Sequence, residues 1–225
     1  MKKRDFLTEI TQRKKRNEMP LRISAFSKRY EAIGNAFMRL LNEATPNGTT
    51  FDEELCRYFP IALTAAIEGY FKQAIADLTD LGEPYQARVQ AAKKRHPKPE
   101  VSAAVASGAI TLGDWYSHVT SFGSLHEIDE LLSEILDFPF LERLLNSEFK
   151  GIFDEEVEAF HLRDIQKEVI ETAIELFQTR HMLCHEFALA VSPDIGTVFR
   201  ILTVADVLVS LSDVVIFAEA EQRKK

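Results

Sequence analysis

Residues 197–221 read TVFRILTVADVLVSLSDVVIFAEAE. This stretch decides the fold. Its valines favour a strand, but it runs far beyond strand length with no turn signal, so it is expected to be a helix from Thr197 to about Glu221. Within it, Val198 to Ala218 is the most apolar part of the chain, and it carries Arg200, Asp206 and Asp213. A membrane span rarely holds three charges, so the expectation is a buried helix and no membrane partner. Asp206 and Asp213 lie seven apart on one helical face, as a polar edge or as a partner for Arg180.

Upstream, Val191-Ser192-Pro193-Asp194-Ile195-Gly196 reads as a loop. Before it, Ile165, Val169, Ile170, Ala173, Ile174, Phe177, Met182 and Leu183 mark the buried side of a helix from about Leu162 to Phe187. Gly151 and Asp154-Glu155-Glu156 read as a connection. Pro139 restarts the chain into Phe140, Leu141, Leu144 and Leu145. Ser124 with Glu127 fits a capping box, followed by Ile128, Leu131, Leu132, Ile135 and Leu136 at helical spacing. Thr111 to Ser121 reads as helix, and Ser102 to Gly108 gives little signal. His96-Pro97-Lys98-Pro99 reads as a stiff, extended linker, after a helix from Glu83 to Arg95.

Closer to the N-terminus, Ile61 to Leu78 reads as a helix opened by Pro60 at its first position. A shorter one begins at the Thr50/Glu53 capping box and runs to Tyr58. Ile23, Phe26, Tyr30, Ile33, Phe37, Leu40 and Leu41 predict an amphipathic helix over Ser24–Glu43, and Phe6 to Arg16 a short basic one. No internal repeat is visible. The fold class is all-α, with about eight or nine helices and short connections.

The 225 residues suffice for a single domain with a substantial core. Net charge is −8, but residues 1–45 hold 11 Lys/Arg against 5 Asp/Glu, a balance of +6, leaving −14 for the rest. A basic arm on an acidic body suits either a polyanion or acidic neighbours of its own. Cys56 and Cys184 are too few for a disulfide framework, so a reduced, cytoplasmic setting is expected. Met1-Lys2-Lys3-Arg4 leads into polar sequence and not into the apolar run of a signal peptide.

Thr179-Arg180-His181-Met182-Leu183-Cys184-His185-Glu186 is the densest group of reactive side chains. His181 and His185 are four apart and share a helical face; Arg180 and His185 are about 140° apart on an ideal helix. Arginine holds phosphate oxygens in bidentate fashion, and histidine exchanges protons near neutral pH. The pair suits phosphodiester chemistry, and a two-fold dimer would supply two of each around one groove. A histidine pair at a helix end, with Arg180 bound to a neighbouring carboxylate, explains the same residues structurally. His181, His185 and Cys184 could also begin a zinc site, but Cys184 lies about 100° off the histidine face. No further His/Cys cluster follows, so neither metal nor cofactor is assigned.

The motif Arg180-His181-Met182-Leu183-Cys184-His185 resembles the Arg-polar-x-x-x-His signature of the HEPN superfamily, all-α proteins of which many are metal-independent endoribonucleases. The stretch Ala66-Ile67-Glu68-Gly69-Tyr70-Phe71 is similar to an early helix of the RiboL-PSP and MAE-like HEPN groups. The resemblance covers residues 55–82 and 160–220. It implies a single HEPN-like helical domain over 1–225, with basic N-terminal helices in 1–45 and a helical insertion over 83–153. It implies RNA as substrate, Arg180 on the scissile phosphate, His185 as general acid/base and His181 lining the site, with Glu68 and Glu186 in supporting roles. Glu186 departs from relatives that carry Asn or Gly after the histidine; it would orient a histidine or repel RNA. A homodimer, a toxin or defence role, and an antitoxin or other regulatory protein as partner are implied as well. A non-catalytic RNA-binding or protein-interaction HEPN module is the alternative.

Overall fold

The valine-rich stretch is a helix, and so is nearly everything else. The computed structural model describes residues 7, 10, 22–43, 50–94, 96–153, 156–161, 166–185 and 193–222. Among them are nine helices and one β-hairpin: α1 Arg22–Glu43, α2 Thr50–Asp80, α3 Tyr85–Lys93, α4 Pro99–Ala106, α5 Leu112–Val119, α6 Leu125–Leu136, α7 Phe140–Asn146, β1 Glu148–Phe153, β2 Glu156–His161, α8 Gln166–His185 and α9 Ile195–Gln222. The short basic helix expected over Phe6–Arg16 lies outside the described residues apart from Leu7 and Ile10, which are helical; Ile10 is buried in the core.

Helix α2 is the centre of the bundle, with α1, α3, α5, α8 and α9 packed around it. Its sequence explains why. Phe59, Leu63, Ala66, Ile67, Tyr70, Phe71, Ala74, Ile75 and Leu78 are all buried, too wide a set for one amphipathic stripe, so the helix needs neighbours on several sides. Pro60 does not divide it. Residues 50–80 form one 31-residue helix with Pro60 inside. The proline removes one intrahelical hydrogen bond at a cost of about 3 kcal/mol. Burying Phe59 and Leu63 on either side offsets that cost, each by about 1.5–3 kcal/mol.

The flanking helices repeat the logic on a smaller scale. Helix α1 buries Phe26, Ile33, Phe37 and Leu40 and leaves most of its remaining surface in water. Helices α3 to α7, from the stretch read as an insertion, contribute Tyr85, Val101, Trp115, Tyr116, Ile128, Phe140 and Leu144 to the same continuous core. Pro99 opens helix α4, so the extended linker is confined to residues 96–98.

Two capping arrangements set the turns in this region. Ser124 Oγ accepts from Glu127 N (3.2 Å), as its capping box predicts, but the Glu127 carboxylate accepts from Gly123 N (2.7 Å), one residue earlier than expected. A full capping box forms at Thr111 and Asp114. Just inside it, Gly113 N donates to Asp80 Oδ1 (2.9 Å), docking the start of α5 on the end of α2.

The hairpin is the main departure from the expected elements. β1 and β2 pair antiparallel, with Phe149 opposite Phe160 and Ile152 opposite Val157. Gly151 interrupts the alternation of one strand, and no Asn-Gly or Asp-Gly pair marks the turn, so the stretch reads as a connection. The fold class remains all-α: among the described residues the two strands pack mainly on each other, and neither packs on a helix as the helices pack together.

One polar node ties three long helices. Arg22 Nε donates to Asp213 Oδ1 (2.6 Å), and its Nη1 donates to Asp77 Oδ2 (3.0 Å). The Tyr70 hydroxyl donates to the same Asp213 oxygen (3.0 Å), and Gln73 Nε2 donates to Asp77 Oδ1 (2.9 Å). Burial and the Asp213 charge push the Tyr70 hydroxyl well above the usual tyrosine range. Burial opposes the Arg22 charge, but Tyr70, Asp213 and Asp77 outweigh it and hold the proton more firmly than usual. Asp213 is therefore the partner of Arg22, not of Arg180.

A Cβ on Gly113 would stand 2.3 Å from the Ala76 carbonyl oxygen, whereas one on Gly69 would meet nothing within 4 Å. Gly113→Ala is expected to cost about 2 kcal/mol, or roughly 4–8 °C in the melting midpoint, while Gly69→Ala leaves the midpoint unchanged or raises it. Equal melting of the two variants would contradict this packing. Asp213→Ala leaves Arg22 with Asp77 alone and the Tyr70 hydroxyl without its acceptor, and is expected to cost about 3 kcal/mol in urea unfolding; Asp213→Asn, which keeps an acceptor, costs less.

Candidate active site

Helix α8 carries the motif at its C-terminal end. Val169, Ala173, Leu176 and Phe177 are buried, along with Thr172, and this face packs on α2 and α9. Arg180 lies three and four residues past Phe177 and Leu176, so it continues the buried face. It emerges beside α2, where its guanidinium Nη2 is 3.9 Å from Glu68 Oε1. The exposed line of the helix is Glu171, Ile174, Gln178 and His181. His181 thus faces water one helical step round from Arg180. His185 is the last residue of α8 and falls four residues beyond His181 on that line. The side chain of His185 and the whole of Glu186 lie outside the described residues.

Glu68 sits between two cations. Lys72 Nζ is 3.4 Å from its Oε2, and Arg180 approaches its other oxygen. Two positive charges against one negative leave this corner a formal charge of +1. The Arg180 contact exceeds hydrogen-bond length, and its side chain keeps 29% of its surface in water against 15% for Glu68. Glu68 therefore orients Arg180 without saturating its fork of donors. A phosphate arriving from solvent would find donors on Arg180 and an ammonium on Lys72, with Glu68 as the competing anion.

The remaining expected partners do not meet the motif. Asp213 belongs to the Arg22 node. Asp206 is exposed, its carboxyl pushed up by partial desolvation, and it bears electrostatically on Tyr30 of α1. Cys184 is exposed and Cys56 buried, and they do not form a disulfide. Among the described residues no three His, Cys, Asp or Glu side chains gather as they would around a metal ion.

Two features near the motif escaped the sequence reading. Arg200 of α9 donates to Glu175 Oε2 (2.6 Å) and to the buried Thr172 hydroxyl (3.2 Å), clasping α9 to α8. The available signal was Arg200 itself, the one cation in the apolar helix α9. The second feature is placement. Helices α1 and α8 each pack on α2 and α9 but not appreciably on one another, so the basic face of α1 and the motif lie on opposite flanks of the central pair.

Comparison of the chain with protein-family models, curated proteins and solved structures finds no match. Helix α9 is the one helix among the described residues that is long and apolar enough to cross a membrane, over Ile195–Ala220, and 56% of its most apolar 18 residues are buried within the bundle.

A double-mutant cycle over Glu68→Ala and Arg180→Ala is expected to yield a coupling of about 0.5 kcal/mol in urea unfolding, as for a long, partly hydrated ion pair. A coupling of about 2 kcal/mol would instead make Arg180 a structural residue held by Glu68.

Proposed function

We propose that the chain is a HEPN-type, metal-independent endoribonuclease that cleaves RNA by attack of the ribose 2′-OH. The observation that carries the reading is the end of α8, where Arg180, partly open to water and steered by Glu68, stands beside the exposed His181 and one turn before His185. In this reaction the 2′-oxygen bonds to phosphorus and the 5′-oxygen leaves. A base takes the 2′ proton and an acid returns one to the 5′-oxygen, giving a 2′,3′-cyclic phosphate and a 5′-OH. His185 is assigned to proton transfer. Arg180 is assigned to the phosphate, whose added charge in the transition state it offsets. His181 lines the path of the RNA.

One motif supplies one acid/base histidine at this position, so we assign the working form to a homodimer that brings two motifs to one groove. Glu68 and Lys72 set how strongly Arg180 competes for phosphate. A toxin or defence role in the cytoplasm, restrained by an antitoxin or other regulatory protein, fits an enzyme that destroys RNA in its own compartment.

A second reading has its own observation. The Arg180–Glu68 contact within one chain is what a non-catalytic HEPN module needs, with the motif kept for packing and the chain serving RNA binding or protein interaction.

Incubation with RNA in EDTA separates the two. Wild type is expected to generate 2′,3′-cyclic phosphate ends, His185→Ala and Arg180→Ala to lose at least about a hundredfold in rate, and Glu68→Gln to retain or gain activity. Cleavage that is absent in wild type, or that persists in His185→Ala, sinks the nuclease reading.

A further inference from the structure

Helix α1 presents a second charged surface, separate from the motif. Lys28, Ala32, Asn35 and Arg39 follow one another at steps of four, three and four, so they line one face of the helix. All four are exposed, as are the flanking Ala25, Arg29 and Ala36. The face lies opposite Phe26, Ile33, Phe37 and Leu40, which are buried. Among the described residues none of Lys28, Arg29 and Arg39 pairs with a carboxylate, whereas Arg22, Arg88, Arg180 and Arg200 each do. Glu31, on one edge of the face, and Glu43, the last residue of the helix and four past Arg39, are the acidic residues on this side, so the local balance is three positive against two negative on a chain whose net charge is −8.

We propose that this face of α1 holds the phosphate backbone of single-stranded RNA, as a docking surface remote from the motif. Lys28 and Arg39 are about 16 Å apart along the helix, a span of several nucleotides of a strand whose charges recur every few ångströms. The small side chains of Ala25, Ala32 and Ala36 let a backbone lie close between the cations. The Asn35 amide adds a donor of the kind that positions phosphates without reading bases. A lipid surface fits less well, because the apolar side of α1 is committed to the core and cannot enter a bilayer.

The surface lies across the α2–α9 pair from Arg180, so its role is to retain the strand and not to touch the reacting phosphate. That the strand is RNA rests on the ribonuclease reading; that it is a polyanion rests on the face alone.

The test uses the full chain and a fluorescent 2′-O-methyl oligouridylate of about 20 nucleotides, long enough to cover the face and unable to undergo 2′-OH attack. The triple variant Lys28→Ala/Arg29→Ala/Arg39→Ala is expected to bind it at least about tenfold more weakly at low salt. Its slope of log affinity against log salt is expected to be shallower by about 2, from three lost contacts at roughly 0.7 each. Arg180→Ala, which removes a single contact at the motif, should weaken binding less than the triple variant does. The swap Lys28→Arg/Arg29→Lys/Arg39→Lys, which keeps every charge, should retain binding and excludes a folding defect as the cause of loss.

Against cleavable RNA the triple variant should raise KM and leave kcat unchanged. Wild-type affinity in the triple variant, or a wild type that does not bind the oligonucleotide, overturns the proposal. So does a wild type that prefers poly-glutamate to the oligonucleotide, since the face would then serve an acidic protein. Binding that depends on these three cations in a chain that cleaves nothing would keep the proposal and remove the nuclease reading; cleavage with binding indifferent to them would do the reverse.

Discussion

Helix α2 cannot satisfy its own surface. Its large side chains point to nearly every side, with Leu63, Ile67, Phe71 and Ile75 fully buried, and water is an acceptable neighbour along only a narrow strip. The other helices are arranged by that requirement. α1, α3, α5, α8 and α9 all pack against it. Close approach is enforced where Gly113 meets the Ala76 carbonyl, since any side chain there would hold α5 away. The apolar contacts are non-directional and would tolerate sliding between helices. The Arg22 node would not, because one guanidinium must meet carboxylates on both α2 and α9 at hydrogen-bond distance. Burial therefore drives the assembly, and the node fixes its register.

The candidate site is a consequence of the same packing. α8 buries one face against α2 and α9, and at its end that face runs out of apolar residues and continues into Arg180. Glu68 marks the place where the wall of α2 becomes polar, and the two meet because both stand at the edge of the core. His181 lies one helical step away, in water. An exposed imidazole and a guanidinium steered by a carboxylate thus come from adjacent positions in the chain, separated by the helical rotation alone. The charge distribution follows the packing too. Lys28, Arg29 and Arg39 of α1 are left facing solvent because that helix spends its apolar face on the core, while Arg180 of α8 and Arg200 of α9 each face a carboxylate across a helix contact.

Where the sequence misled, a tertiary term overrode a local one. Pro60 is a strong local signal for a helix boundary, yet α2 passes through it, because the buried residues on both sides gain more from one continuous rod than a single missing hydrogen bond costs. Pro99, read as the end of a linker, is the first residue of α4, where its missing N–H would have no partner in any case. The β-hairpin was hidden by Gly151 within one strand and by the absence of the usual turn residues; its pairing of Phe149 with Phe160 is a match between two strands that neither announces alone.

The sequence by itself determined the helices and the motif. Helical periodicity is local and survives any arrangement of neighbours, so α1, α8, α9 and the all-α class could be read directly, as could the cluster from Arg180 to His185. Only the tertiary structure decided who meets whom. Asp213, a candidate partner for Arg180 on spacing alone, pairs with Arg22, and the partner of Arg180 is Glu68. Only the fold set α1 and α8 on opposite flanks of α2 and α9. The reason is geometric. A carboxylate on a helix advertises its charge but not its direction in space, and ion pairing falls off within a few ångströms, so partners are chosen by the packing of helices whose contacts lie more than a hundred residues apart in the chain.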